Sequence, residues 1–240
     1  MNRGEKAALQ LQAVDLLRML KSTRTYDELA AETKIPAGDL NRYVNGHVLP
    51  SVERANEIIQ QHSTDTLAEE LFKRLRTDEE GYVDNSDVVF DYTFLSLVPP
   101  LASKKLNNPN PDVILTAATD GITLASAMAG YFNARCTYAK KTRETAVESF
   151  IEARQRLKSG IEIDYYLPTN AIAPNDTVLV VDDLIRSGET QELLLDIVEQ
   201  ARGTTVGVFT LIAIETTGLD RTRSKTDAPV SSLLTLPSFP

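Results

Sequence analysis

The sequence predicts an α/β fold, a parallel sheet flanked by helices, preceded by a small all-α domain. Short apolar runs typical of buried strands alternate with helical patterns along residues 77–240. Residues 1–62 show helical patterns throughout, and residues 63–76 form one further helical pattern. The predicted domains are therefore 1–62 and 77–240, joined by a linker helix over 63–76.

Charge is distributed unevenly along the chain. The net charge is −9, yet residues 1–62 carry eight Lys/Arg and eight Asp/Glu, so the negative excess belongs to residues 63–240. An acidic body repels nucleic acid. Any contact with DNA must therefore come from the neutral N-terminal part.

Composition also excludes several classes of protein. The single cysteine, Cys136, rules out an internal disulfide framework, and it is expected to be a small buried side chain. Two histidines, His47 and His62, cannot form a metal cluster by themselves. The N-terminus lacks an apolar leader, and no apolar run is long enough to span a bilayer. We therefore expect a cytoplasmic protein without a membrane partner.

Two helices are predicted at the start of the chain. Apolar residues recur at helical spacing over residues 5–21. Thr25 and Glu28 form a capping box, which starts a second helix over 26–33. That helix must end before Pro36, because a residue that precedes proline is pushed out of the helical region.

Two more helices follow in this domain. A third helix carries Leu40 and Tyr43 on one face and ends at Asn45 and Gly46, residue types common at helix C-termini. Ser51 can cap a fourth helix. The sequence therefore predicts an N-terminal domain of four helices.

The second and third helices resemble the helix-turn-helix of phage-repressor proteins, through the spacing of Leu29, Ala30, Ile35 and Leu40. Lys34 departs from that pattern, since the turn usually has glycine there. The resemblance implies promoter DNA as a partner, with the exposed positions of the third helix in the major groove. The alternative is a small helical interaction or dimerisation domain. The implied DNA-facing residues are Ala37, Gly38, Asn41, Arg42 and Asn45.

The most informative segment of the second domain is 178–190. Val178 to Val181 read as a buried strand, two carboxylates follow, and after a short loop Thr190 opens an amphipathic helix. Loop amides and a helix N-terminus can take a phosphate, while carboxylates can accept hydrogen bonds from a diol or hold a hydrated Mg2+. The bland alternative is a strand-to-helix turn whose acids cap the helix.

This segment resembles the phosphoribosyl diphosphate (PRPP) signature of type I phosphoribosyltransferases. The resemblance implies the sheet of that family and assigns Asp182 and Asp183 to the ribose hydroxyls. A receiver domain also places two acids after a strand, but only one clear strand follows Asp183 here, which excludes it. The implied 5-phosphate loop is Arg186, Ser187, Gly188, Glu189 and Thr190.

A second strand, loop and helix precede this signature. Residues 112–116 read as a buried strand, residues 117–121 as a tight loop and residues 122–132 as a helix rich in small side chains. In phosphoribosyltransferases the equivalent loop binds pyrophosphate, often through an unusual peptide bond. The alternative is a plain turn with Asp120 as the helix cap. The implied pyrophosphate-loop residues are Ala118, Thr119, Asp120 and Gly121.

A third strand over 135–139 ends in Lys140 and Lys141. The resemblance implies that a basic residue here reaches the pyrophosphate; the alternative is a solvated surface. The charged segment 142–160 matches the family's mobile loop, and its apolar residues predict that part of it is helical. Because ligands bind at the carboxyl edge of parallel sheets, all three loops should meet there.

The remaining segments receive shorter predictions. A strand is expected within 161–167, another over 206–214 and an edge strand over 232–236. Residues 78–91 read as loops with short strands. Residues 94–106 read as helical apart from two prolines.

Two functions compete for this chain. The first is a transferase that joins a base to PRPP; the second is a transcription regulator that senses a phosphorylated metabolite in the same pocket. The helix-turn-helix favours the regulator. Glu189 and Arg186 also favour it, because catalytic members usually have Thr-Gly-Gly-Thr in the phosphate loop. A carboxylate beside a phosphate is unfavourable unless it points away.

The whole chain resembles the archaeal regulators of sugar catabolism, and more distantly the purine operon repressor of Gram-positive bacteria. This implies a homodimer or higher homo-oligomer that binds promoter DNA and responds to a sugar-acid phosphate or to PRPP. No catalytic residue is assigned in this reading. No pattern establishes a cofactor, although a diphosphate ligand could bring Mg2+.

Overall fold

The computed structural model describes residues 1–61, 64–79, 82–156, 160 and 162–238. The chain divides into two compact units, Met1–Glu70 and Leu71–Pro240. The predicted border between residues 62 and 63 lies outside the described residues.

The N-terminal unit is helical. The capping box is confirmed, because the Glu28 amide donates to the Thr25 hydroxyl at 3.3 Å and the Thr25 amide donates to the Glu28 carboxylate at 2.7 Å. Apolar side chains from different helices, including Leu17, Leu29 and Leu40, are fully buried together. The helices are α1 (Arg3–Lys21), α2 (Tyr26–Thr33), α3 (Ala37–Val44), α4 (Val52–Gln61) and α5 (Thr64–Arg74), the last of which runs into the second unit.

The turn between α2 and α3 contains the departure seen in the sequence. Lys34 ends α2 with φ 58° and ψ 23°, the left-handed conformation that glycine adopts without cost. Its amide donates to the Ala30 carbonyl at 3.0 Å. The turn therefore keeps the left-handed backbone conformation that is usual for glycine, and this conformation costs conformational free energy at a lysine.

The C-terminal unit opens with short elements. A two-stranded pair is followed by two four-residue helices and by α8. Pro99 and Pro100 lie in the first turn of α8, contrary to the prediction that they interrupt a helix. A first turn tolerates proline because its amides have no helical partner there. These elements are β1 (Arg76–Thr77), β2 (Val83–Asp84), α6 (Ser86–Val89), α7 (Tyr92–Leu95) and α8 (Val98–Lys105).

The rest of this unit is a five-stranded sheet with the order β4-β3-β7-β8-β9, and every neighbouring pair is parallel. The predicted parallel α/β architecture is therefore confirmed. The helices α9 and α10 both contact β3 and β7, while the antiparallel β5–β6 hairpin contacts α10. The elements are β3 (Val113–Ala117), α9 (Gly121–Phe132), β4 (Arg135–Ala139), β5 (Phe150–Arg156), β6 (Glu162–Pro168), β7 (Thr177–Ile185), α10 (Glu189–Gln200), β8 (Thr204–Ile214), α11 (Thr217–Arg223) and β9 (Val230–Leu236).

The prediction of helix within 142–160 is wrong. Residues Phe150–Arg156 form β5, which pairs with β6. The register runs from Phe150 opposite Pro168 to Arg156 opposite Glu162. Ala153 and Gln155 are buried at alternate positions of β5, as in a strand with one buried face. Because Gln155 is polar, the sequence does not show an alternation of apolar and polar residues there. Residues 157–159 and 161 lie outside the described residues.

Three smaller differences concern the edges of elements. The strand β7 continues through Asp182 and Asp183 to Ile185, so the acids lie on the strand rather than after it. The helix α10 begins at Glu189, one residue before the predicted Thr190. Cys136 is exposed on the edge strand β4, contrary to the expectation that it is buried.

Candidate functional site

The paired acids lie near the carboxyl end of β7 and differ in their surroundings. Asp182 is 6% exposed; its carboxylate accepts from the Gln191 side-chain amide at 2.7 Å and from the Asp183 backbone amide at 3.1 Å. Asp183 is half-buried, and Asn85 donates to its carboxylate at 2.6 Å. Adjacent residues of a strand point to opposite faces, so the pair cannot share one environment. Asp183 is the more accessible acid.

The pKa of Asp182 is raised well above its usual range. Burial is the largest cause, and the neighbouring carboxylates of Asp183 and Asp120 add to it. Desolvation and like charges both disfavour the ionised form. Asp182 therefore favours the protonated form more than an ordinary carboxyl does.

The predicted phosphate loop is a tight connection between β7 and α10. Gly188 caps α10 with φ 79°, and a Cβ on it would lie 2.7 Å from the Gly218 carbonyl oxygen. A Cβ on Gly218 would lie 2.7 Å from the Arg186 carbonyl oxygen. The loop therefore rests on the first turn of α11, backbone against backbone, through two glycines.

Glu189, the residue that departs from the usual loop, is paired. Its carboxylate lies 3.5 Å from the Arg221 guanidinium on α11, and its side chain is 10% exposed. Arg221 also contacts Glu192 at 2.5 Å, and that contact is the largest cause that raises the pKa of Arg221. The carboxylate of Glu189 is thus held toward α11. Arg186 is exposed, with its guanidinium 5.2 Å from the centroid of the Tyr82 ring.

The predicted pyrophosphate loop adjoins the acids. The peptide bond between Ala118 and Thr119 is cis, and the Ala118 amide donates to the Ala139 carbonyl at 2.9 Å. Gly121 opens α9 so close to β7 that a Cβ would lie 2.9 Å from the Asp182 carboxylate. Thr119 and Asp120 are exposed. The structure therefore brings the loop, the acid pair and the end of β4 to one edge of the sheet.

The two lysines after β4 face different partners. Lys140 pairs with Glu144, and its ammonium lies 5.1 Å from the centroid of the Tyr138 ring. The hydrogen bond that Lys140 donates to Glu144 is the largest cause that raises the pKa of Lys140. Lys141 is exposed, with its ammonium 5.8 Å from the centroid of the Tyr165 ring. Lys140 is therefore neutralised locally, while Lys141 is accessible.

The acid pair fits a hydrated Mg2+ held jointly with a ligand better than a cage built by the protein. Mg2+ takes oxygen ligands, keeps several waters and is commonly bound through one or two carboxylates plus substrate phosphates. Asp183 offers such a carboxylate, whereas Asp182 is buried and engaged by Gln191. Within the described ranges, no group of three His, Cys, Asp or Glu side chains could hold a metal ion.

The candidate DNA-facing residues lie on α3 of the N-terminal unit and on its C-terminal cap, Asn45. Gly38, Asn41, Arg42 and Asn45 are exposed, and Ala37 is half-buried. Asn45 donates to the Asn41 side chain at 2.8 Å, and Arg42 lies 3.7 Å from Asp39. Four of the five predicted positions are thus accessible on one short helix and its cap, and the guanidinium of Arg42 is only weakly held.

Four residues of the site were missed by sequence reasoning: Asn85, Gln191, Gly218 and Arg221. Three of them reach the signature from distant parts of the chain, so spacing within the motif carries no trace of them. Gln191 gives a local signal, because it is a polar residue on the otherwise apolar face of α10. Its side chain is only 1% exposed.

Comparisons with known proteins agree with this geometry. The family described as "Phosphoribosyl transferase domain" matches residues 93–235. The xanthine phosphoribosyltransferase of Clostridium novyi (strain NT) is 30% identical over 161 residues, which cover 60% of this chain and 80% of that protein. The adenine phosphoribosyltransferase structure from Rhodothermus marinus DSM 4252 superposes with a TM-score of 0.62 at 24% identity, covering 72% of this chain and 99% of that chain.

One relative has a different description. The purine biosynthesis transcriptional repressor PurR of Bacillus subtilis (strain 168) is 26% identical over 162 residues, which cover 67% of this chain. The chain spans 55% of the length of that repressor. In the part of the chain that the structure describes, no helix combines the length and apolar character needed to cross a bilayer.

Proposed function

The chain belongs to the phosphoribosyl transferase family, and we propose that it is a DNA-binding transcription regulator that senses a phosphorylated metabolite. The metabolite would be a sugar-acid phosphate or PRPP, and the regulated genes would serve sugar catabolism. The observation that carries the proposal is the helical unit ahead of the family domain, whose α3 exposes polar residues that a free-standing transferase does not need. Similarity to a protein described as a transcriptional repressor supports it.

The pocket can recognise a sugar phosphate without any chemistry. The accessible Asp183 would accept hydrogen bonds from vicinal hydroxyls. The loop from Arg186 to Gly188 and the N-terminus of α10 would take the phosphate. With a diphosphate ligand, Mg2+ would neutralise phosphate charge, and Asp183 would be its protein ligand.

Binding to DNA would use α3. Arg42 can pair with a guanine edge and Asn41 with an adenine edge, and either can instead contact phosphate. One short helix buries little surface, so we expect a homodimer or higher homo-oligomer that places two such helices on paired half-sites.

A catalytic phosphoribosyltransferase is the second candidate. Its support is the presence of the acid pair and of the pyrophosphate-type loop, together with similarity to xanthine phosphoribosyltransferases. A repressor of the purine-operon type that responds to PRPP is a narrower version of the first candidate.

A turnover assay separates the two candidates. The protein is incubated with PRPP, Mg2+ and, in turn, xanthine, guanine, adenine and orotate, and pyrophosphate release is measured. We expect no release above the rate without base, because Glu189 replaces a glycine of the usual phosphate loop. A xanthine phosphoribosyltransferase is the positive control. Turnover with any base at about 1 per second, within the ordinary range for enzymes, would make this chain a transferase.

Replacement of Arg42 tests the DNA-binding surface. The wild-type protein first selects fragments from fragmented genomic DNA, and recovery of none would contradict the regulator. Arg42→Ala should weaken binding of the selected fragment about tenfold and leave ribose 5-phosphate binding unchanged. Arg54→Ala is the matched control, because it removes the same charge from α4, where Arg54 pairs with Glu57 at 2.7 Å. Equal losses in both variants would show that α3 is not the recognition helix.

A further inference from the structure

Arg221 lies on the element that supports the phosphate loop. The helix α11 starts just after β8, and its first turn meets the loop through Gly218. The Thr222 hydroxyl, which is fully buried, donates to the Gly218 carbonyl at 2.8 Å and steadies this turn. Arg221 therefore projects from a surface whose position relative to the loop is set by close backbone contact.

The guanidinium of Arg221 bridges two acids of α10. It lies 3.5 Å from the Glu189 carboxylate and 2.5 Å from the Glu192 carboxylate, one turn further along the helix. The Glu189 side chain is the more shielded of the two, with 10% exposure against 23% for Glu192. Because water screens a shielded charge poorly, the neutralisation of Glu189 depends on its protein partner.

Glu189 stands where an anion is expected to bind. It is the first residue of α10, and the positive end of that helix favours a single nearby negative charge. A phosphate at the loop would meet the carboxylate of Glu189 as a like charge at the same helix end. The loop can accept a phosphate only if that carboxylate is turned away and compensated.

We propose that Arg221 is a positioning residue for phosphate binding, which holds the Glu189 carboxylate against α11 and neutralises it. The helix N-terminus then remains available to a phosphate monoester. Glu192 anchors the guanidinium from its other side. The inference rests on the proposed function, since it takes residues 186–190 as the phosphate loop.

The test measures the affinity for ribose 5-phosphate by titration calorimetry on the full chain. Arg221→Met keeps the length and apolar stem of the side chain but leaves Glu189 uncompensated, and it should weaken binding at least tenfold. Arg221→Lys keeps the charge and should fall between this variant and wild type. Raising the salt concentration should narrow the difference only partly, because ions screen a shielded carboxylate less than an exposed one.

A rescue experiment distinguishes neutralisation from a general structural role. Adding Glu189→Gln to Arg221→Met should restore the affinity to within about threefold of wild type. Glu192→Gln in the same background is the matched control and should restore little, because Glu192 lies a turn beyond the loop. A merely structural arginine predicts no rescue by either glutamine.

The outcomes separate this inference from the function on which it rests. Wild-type protein that does not bind ribose 5-phosphate would overturn the proposed pocket and the inference together. Wild-type binding that survives Arg221→Met, or is lost without rescue by Glu189→Gln, would overturn the inference alone. If Arg221→Met does not fold, Arg221→Lys with and without Glu189→Gln decides, since the glutamine should raise its affinity.

Discussion

Replacing Gly121 by alanine should destabilise the C-terminal unit by about 2–3 kcal/mol, the scale of overpacking in a close-packed interior. The added Cβ would lie 2.2 Å from the Thr116 hydroxyl oxygen and 2.9 Å from the Asp182 carboxylate. Thr116 is fully buried and β-branched, so it has few rotamers to which it can retreat. The Asp182 carboxylate holds the Asp183 amide and Gln191, so its displacement would break hydrogen bonds.

The measurement is urea denaturation, with hydrogen exchange of β3 and β7 amides to assign the loss to this unit. Gly130→Ala is the matched control in the same helix, because no atom lies within 4 Å of its added Cβ. It should stabilise the protein by about 0.5–1 kcal/mol, since alanine favours the helix over glycine. Comparable stability of Gly121→Ala and wild type would mean that α9 can move away from β7, and that the close approach is not a fixed feature of the site.

Replacing Asp182 by asparagine should stabilise the protein at neutral pH, and increasingly so as pH rises. The folded pKa of Asp182 is raised, chiefly by burial and then by the Asp183 charge. Between the unfolded value near 3.9 and this raised value, the folded state binds more protons than the unfolded state, so wild-type stability falls as pH rises through that window. Asparagine has no such proton to lose and should gain about 1–3 kcal/mol at pH 8, the scale of an incompletely compensated buried charge.

Urea denaturation of both proteins from pH 4 to pH 8 measures this difference. Both hydrogen bonds can persist in the variant. The asparagine oxygen can accept from the Asp183 backbone amide. The asparagine side-chain amide can donate to the Gln191 side-chain oxygen once the Gln191 amide group has rotated by half a turn. Asp183→Asn, at the half-buried neighbour, should gain less. A difference between Asp182→Asn and wild type that stays constant with pH would show that Asp182 does not titrate as its burial requires.

If the Asp182 prediction holds, it describes a site that works against its own fold. A buried acid with a second acid beside it reduces stability, which is typical of positions kept for binding. The gain in Asp182→Asn would then be the stability that the native sequence forgoes to keep a carboxyl at this position.

Local patterns were sufficient to predict the sheet and the loops on which most of the candidate residues lie. Val178 to Val181 identify a buried strand by composition alone, and Gly188 with the apolar face of α10 identifies the loop and helix that follow. The capping box at Thr25 and Glu28 is equally local, and its two hydrogen bonds form as expected. Such elements are predictable because each depends on contacts within a few residues.

The errors arise where distant contacts decide the structure. Phe150–Arg156 is rich in residues that also suit a helix. It becomes a strand because it pairs with β6 and because Gln155 is buried beside α10. There the Gln155 side-chain amide donates to the Thr190 hydroxyl at 3.3 Å. Asn85 reaches Asp183 across 98 positions of the chain. Neither the β5–β6 pairing nor the Asn85–Asp183 hydrogen bond can be predicted from the hydrophobic periodicity of the segments that form it.

The contact between Gly188 and Gly218 means that the predicted phosphate loop is not a portable unit. A Cβ on Gly188 would lie 2.7 Å from the Gly218 carbonyl oxygen, and a Cβ on Gly218 would lie 2.7 Å from the Arg186 carbonyl oxygen, although the two glycines lie on opposite sides of β8 in the sequence. A graft of residues 178–190 into another scaffold would transfer the sequence motif but not the first turn of α11, which fixes the conformation of the loop. In descendants of this chain, both positions should remain glycine, because each added Cβ would meet a backbone oxygen that no second substitution removes.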